Sequence, residues 1–195
     1  MLIKDIITEG RNTNLVVVDV QPAYRATYYA EKIIDFAEKQ KGKIVAFYNS
    51  EEFSNDTLQD VMMFWQENGA SDNLLERVIW TEKTYAFLRA WMDQGVPDSA
   101  IIKVIRYLAT NKLNDSRDIG EDDPDFDLQD LIGTENYEPW MEDDPIYIPD
   151  ISIANLKNLS PFYLCGGARS ECLREIELLC NAFNIKYKRI DSLIY

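Results

Sequence analysis

Short runs rich in β-branched residues recur along this chain, separated by longer stretches of helical period, and that rhythm limits the possible fold more than any other feature. The runs are LVVVDV at 15–20, KIVAFY at 43–48, RVIW at 77–80, FYLC at 162–165 and IKYKRI at 185–190. Strand runs that alternate with helical segments are the pattern of βαβ units. A strand with one wet face alternates apolar and polar residues, whereas LVVV is apolar at consecutive positions. Such strands are expected to be covered on both faces, in a largely parallel sheet. The fold class expected is therefore α/β.

Between the runs, residues 23–40 place Tyr29, Ile33, Phe36 and Ala37 near one helical face, with Gly42 just past the end. A second helix is expected over DTLQDVMMFWQENG, with Asp56 as its cap and Gly69 as its stop. Two more are expected around TYAFLRAWMDQG and in PDSAIIKVIRYLATNK, where Pro97, Asp98 and Ser99 stand at the start. The 195 residues suffice for one sizeable core, so one domain over 1–195 is expected. The apolar runs are too short to cross a bilayer, and the N-terminal stretch lacks the pattern of a signal peptide. A cytoplasmic setting is expected, with Cys165, Cys172 and Cys180 reduced, because three cysteines without a CxxC pair suit free thiols.

The chain has no histidine. That removes Ser-His-Asp and Cys-His relays and the commonest metal ligand, leaving carboxylate, lysine, cysteine and tyrosine for acid–base work. The net charge of −14 is unevenly placed: residues 115–150 hold 14 Asp or Glu against Arg117 alone, leaving 20 acidic and 19 basic residues elsewhere. The acidity belongs to one segment, an excursion at about 112–145 with Pro124, Pro139 and Pro145. No basic stripe is present to hold a phosphate backbone, so neither nucleic acid nor an anionic membrane is an expected partner.

Three positions carry chemistry. The strand FYLC, the turn GGA and a helix from about Arg169 to Phe183 put Cys172 in a first helical turn, where unpaired N–H groups and the macrodipole stabilise a thiolate. Cys172 also shares a stripe with Ile176, Leu179, Cys180 and Phe183, so plain packing is the competing reading. Asp19 interrupts an apolar strand near its carboxyl end, where open α/β sheets place ligands. A carboxylate there is costly unless paired or working. Lys83 follows another short strand, and three strand ends bearing acid, ammonium and thiol can meet at one sheet edge.

D-V-Q after an apolar strand, K-T-Y-A-F after a middle strand and G-G-A-R-S-E-C-L before a helix together resemble the isochorismatase-like cysteine hydrolase superfamily, which includes nicotinamidases, carbamoylsarcosine amidases and ureidoacrylate hydrolases; this chain resembles a divergent member. The resemblance implies a three-layer α/β/α sandwich on a mainly parallel, Rossmann-like sheet with an acidic insertion. It implies Asp19 as general base, Cys172 as nucleophile and Lys83 as ordering cation. It also implies a cis peptide between Gly167 and Ala168, with the N–H groups of Ala168 and Cys172 binding the oxyanion. No cofactor and no metal are expected.

The activity implied is hydrolysis of a C–N bond in a small amide or ureide through a thioester. Gln21, Tyr48, Asn49, Trp80, Tyr85 and Phe87 are candidates for the pocket, and Glu51 and Glu52 stand near its rim; the aromatic residues also suit core or rim packing. A homo-oligomer acting on a small-molecule substrate is expected. A second reading, from another class, is a non-catalytic binding scaffold whose acidic insertion docks a basic partner. Asp123, Asp125 and Asp127 have the spacing of a calcium loop, but Leu128 stands where glycine is needed, and a solvated acidic loop is the simpler account.

Overall fold

Five strands line up in the order β3-β2-β1-β4-β5, every neighbouring pair parallel. They are β1 (Asn14–Val18), β2 (Ile44–Asn49), β3 (Val78–Lys83), β4 (Phe162–Gly166) and β5 (Tyr187–Arg189). The computed structural model describes residues 13–24, 29–49, 54–83, 88–121, 123, 125–148 and 150–195. Leu15 to Val18 are all fully buried, so both faces of the central strand are covered, as its consecutive apolar residues require. The protein is an α/β protein with a Rossmann-like parallel sheet.

The chain divides into two compact units, Met1–Lys83 with Asn155–Arg174 and Lys186–Tyr195, and Thr84–Ala154 with Glu175–Ile185. The first holds all five strands and the helices α1 (Ala30–Glu38), α2 (Leu58–Glu67) and α3 (Asp72–Arg77). Leu15 and Val17 of β1, Ile44 and Ala46 of β2, and Tyr163 and Cys165 of β4 form one core cluster with Ile33, Ile34, Val61, Trp65 and Leu74 from these helices. Within it the Trp65 indole donates to Val20 O at 2.8 Å, so a large aromatic is buried with its one donor satisfied.

Local signals explain the element ends, in part differently from expectation. Thr57, not Asp56, caps α2: its hydroxyl accepts from Asp60 N while the Asp60 carboxylate accepts from Thr57 N, a capping box. Asp56 is buried one residue upstream and serves the site described below. Gly42 does not end α1, which stops at Glu38; a Cβ there would fall 2.5 Å from Thr13 O, so glycine lets the loop cross the start of β1. The six-residue α3, too short to show a period, begins at a Ser71 cap.

The second unit contains α4 (Leu88–Asp93), α5 (Asp98–Asn111) and α6 (Leu128–Ile132). Two further helices run through both units' residue ranges: α7 (Asp150–Leu159) and α8 (Cys172–Ala182). The acidic excursion is built on apolar residues. Ile119, Leu128, Ile132, Met141 and Ile146 are buried, Phe126 stacks on Tyr107 with ring centroids 5.5 Å apart, and Trp140 meets Trp91 edge-on. Leu131, Tyr137, Trp140 and Phe126 are half-buried. The Asp-rich run has a capping explanation: the Asp127 side chain accepts from Asp130 N and the Asp130 side chain from Asp127 N, a second capping box, at the start of α6. Among the described residues no helix is long and apolar enough to cross a membrane.

Candidate active site at the carboxyl ends of the strands

The strand order reverses at β1, which lies between β2 and β4, and in open α/β sheets that switch point is where ligands bind, beyond the carboxyl ends. Asp19 is the first residue after β1 and has φ +50°, in the left-handed region that residues with side chains avoid. By strand alternation Asp19 should follow Leu15 and Val17 toward the core cluster. The left-handed turn reverses this, so that Val20 joins the cluster and the Asp19 carboxylate meets Lys83.

Lys83 is the last residue of β3 and the register partner of Asn49, the last of β2. Its Nζ donates to Asp19 Oδ2 at 2.6 Å, with the two side chains 1% and 0% exposed. The other carboxylate oxygen, Oδ1, is buried without a hydrogen-bond partner. A buried ion pair costs desolvation, and a buried charged oxygen with no donor adds to it, so this arrangement is not one that stability favours. An unoccupied, desolvated lone pair is what a general base presents.

Cys172 is the first residue of the eleven-residue α8, half-buried and in no disulfide. Two left-handed glycines lead to it, Gly166 at φ +77° and Gly167 at φ +60°. A Cβ on Gly166 would fall 2.4 Å from Val18 O, so glycine there lets the exit of β4 lie against the exit of β1. Ala168 O accepts from Glu171 N at 3.1 Å and from Leu173 N at 3.2 Å, closing the turn onto the helix. The Gly167–Ala168 bond is trans, contrary to the resemblance; the paired left-handed glycines make the reversal, and among the described residues the cis peptide is Ser160–Pro161.

Two tyrosines, Tyr24 and Tyr195, each feel the charges of Asp19, Lys83 and Cys172. Tyr24 is raised above the ordinary phenol range first by burial, then by Asp19 and Cys172, while the hydrogen bond from Asn49 Nδ2 at 2.5 Å acts in the opposite direction. Tyr195 is raised for the same leading reason. Neither was signalled by a motif. Of the other two thiols, Cys165 is pushed far up by burial and Cys180 up to about 12 by burial with Glu177, so both stay protonated.

The pocket candidates separate by strand alternation. Asn49 lies on the Lys83 side, buried, with its Oδ1 lacking a partner. Tyr48 and Trp80 lie on the other side and pack against the core cluster, where the Trp80 ring meets Trp65 at 5.0 Å. Gln21 is fully buried and both ends of its amide are engaged: Nε2 donates to Asp56 Oδ2 at 2.9 Å, and Oε1 accepts from Asn49 N at 2.8 Å. It ties the exits of β1 and β2 together. Tyr85, Phe87, Glu51 and Glu52 lie outside the described residues. Among those described, no three His, Cys, Asp or Glu are grouped to hold a metal.

Fold and site together define an α/β protein of Rossmann-like topology with a buried acid–ammonium pair at its switch point and a thiol at the start of the helix that follows β4. The chain matches no protein-family model, no curated protein and no solved structure.

Proposed function

We propose that the protein is a cysteine hydrolase of the isochorismatase-like kind, cleaving a C–N bond in a small amide or ureide. The observation that carries this reading is the buried Asp19–Lys83 pair with Asp19 Oδ1 unpartnered, the acid standing at the exit of the strand next to the one whose following helix begins with a thiol. The thiol proton passes to Asp19, and Cys172 Sγ attacks the carbonyl carbon. The amides of Ala168 and Cys172 are the proposed donors to the oxyanion. As the C–N bond breaks, the leaving nitrogen takes the proton from Asp19, and a thioester remains. Water then gives a proton to Asp19 and adds its hydroxyl to the thioester carbon; the S–C bond breaks, the acid product leaves, and the sulfur recovers the proton. Lys83 holds the carboxyl group in place through the cycle.

The buried Asn49 Oδ1 suits a substrate that offers an N–H, as amides and ureides do. We also assign the protein to the cytoplasm, with which three cysteines outside any disulfide agree, and expect a homo-oligomer.

Turnover of a panel of small amides and ureides tests the reading. Cys172→Ala is expected to abolish it, and Asp19→Asn to lower it about 10²–10⁴-fold, each with a cooperative unfolding transition retained. Full activity in either variant removes the proposal. Iodoacetamide at pH 7 separates it from the scaffold reading, which is favoured by the buried apolar residues of the acidic excursion and its hollow of about 480 Å³ lined by Asp127, Tyr137 and Glu142 among others. A hydrolase alkylates at Cys172 faster in wild type than in Asp19→Asn, whereas a scaffold gives equal rates in the two; Cys165 and Cys180, fully buried, are slow in either case.

A further inference from the structure

Asp19 holds a left-handed backbone although it is not glycine, a conformation that persists only where the surroundings over-determine it. Three hydrogen bonds do so. Its N–H donates to Phe47 O at 2.9 Å, its carboxylate accepts from Lys83, and its carbonyl accepts from the Tyr195 hydroxyl at 2.8 Å. The last differs in kind from the others because of where the rest of Tyr195 is attached. Its N–H donates to Gly167 O at 3.2 Å and its carbonyl accepts from Arg169 N at 2.8 Å, which are the two sides of the turn that delivers Cys172. Asp191, four residues before Tyr195, receives the Arg169 guanidinium at 2.8 Å and steadies the same connection from outside.

One residue therefore joins the turn that carries the carboxylate to the turn that carries the thiol. We infer that Tyr195 is a positioning residue, whose hydroxyl holds the Asp19 turn in register with the Gly166–Cys172 turn and so sets the acid–thiol geometry. The inference rests on the hydrolase reading. Tyr195 does not exchange protons in it, since burial raises its phenol further from the working range. Its effect is geometric: a displacement of about 1 Å in a reacting group costs up to about 10²-fold in rate.

The test is the rate of Cys172 alkylation by iodoacetamide, followed by peptide mass across pH, in wild type, Tyr195→Phe, Asp19→Asn and the double variant. Phenylalanine keeps the ring and removes only the hydroxyl. Tyr195→Phe is expected to slow alkylation about 10-fold to 10²-fold and to move its pH midpoint upward. In the Asp19→Asn background the same substitution is expected to change nothing further, because Tyr195 acts through Asp19. If Phe lowers the unfolding midpoint below the assay temperature, Tyr195→Met is measured in the same cycle at reduced temperature. An unchanged rate and midpoint in Tyr195→Phe, or equal losses in the two backgrounds, overturn the inference while a fast wild-type Cys172 leaves the hydrolase reading intact. A wild-type Cys172 no faster than Cys165 removes both.

Discussion

At the scale of single residues, the buried pair of Asp19 and Lys83 decides most about this protein. The two charges sit 64 residues apart in sequence and 2.6 Å apart in space, with almost no solvent to screen them. Removing one partner leaves the other charge uncompensated in the interior. Lys83→Met keeps the length of the side chain and deletes the ammonium, and is expected to destabilise the fold by about 3–5 kcal/mol, read as a fall in the urea midpoint at unchanged slope. A shift below roughly 1 kcal/mol, the range of an exposed pair, rules out a pair buried as described. The acid and the ammonium were both legible in the sequence, as a carboxylate breaking an apolar run and a lysine ending one. Tyr24 and Tyr195 were not. Tyr195 meets Asp19 across 176 positions, and no local period or spacing carries a contact of that range.

At the scale of elements, the turn after β4 shows how backbone and site are coupled. Gly166 is required twice over, by its positive φ and by the 2.4 Å approach a Cβ would make to Val18 O, an atom of the backbone that cannot step aside. Gly166→Ala is expected to cost more than the about 1–3 kcal/mol of a strained backbone alone and to separate the exits of β1 and β4; thermal unfolding checks the first and Cys172 alkylation the second. A variant as stable as wild type would mean that the close approach is not maintained in solution. The five strands and α1, α2, α5 and α8 were foreseeable from β-branched runs and helical period; the signal was strongest in β1 and β4, which are buried almost throughout, and weaker in the edge strands β3 and β5, which carry exposed positions. The ends of the elements were less foreseeable. Asp56 and Thr57 are both good caps by residue type, and only the Asp60 partner at the third helical position decides for Thr57.

At the scale of the whole molecule, the two half-buried phenols of Tyr24 and Tyr195 link stability to alkaline pH. Burial first, with Asp19 and Cys172 adding to it, raises Tyr24 and Tyr195 above the ordinary 10.0 of an unfolded tyrosine. The folded state thus keeps protons that the unfolded state has lost. Their contribution is fully present below about pH 10 and falls as the pH rises further. Urea unfolding on either side of about pH 10 is expected to show that loss, and Tyr195→Phe to flatten it; an equal pH slope in both proteins removes Tyr195 from the account. What the sequence alone determined here is the order of strands and helices, the parallel sheet and the delivery of an acid, a lysine and a cysteine to strand or helix ends, since each follows from period, burial and chain direction. Tertiary structure decided which way those groups face. A single left-handed residue turned Asp19 away from the core cluster, alternation turned Tyr48 and Trp80 into it, and Gln21 was spent on a buried amide bridge. The physical reason is that facing depends on one backbone dihedral and on partners tens of residues away, and neither leaves a local trace in composition or spacing.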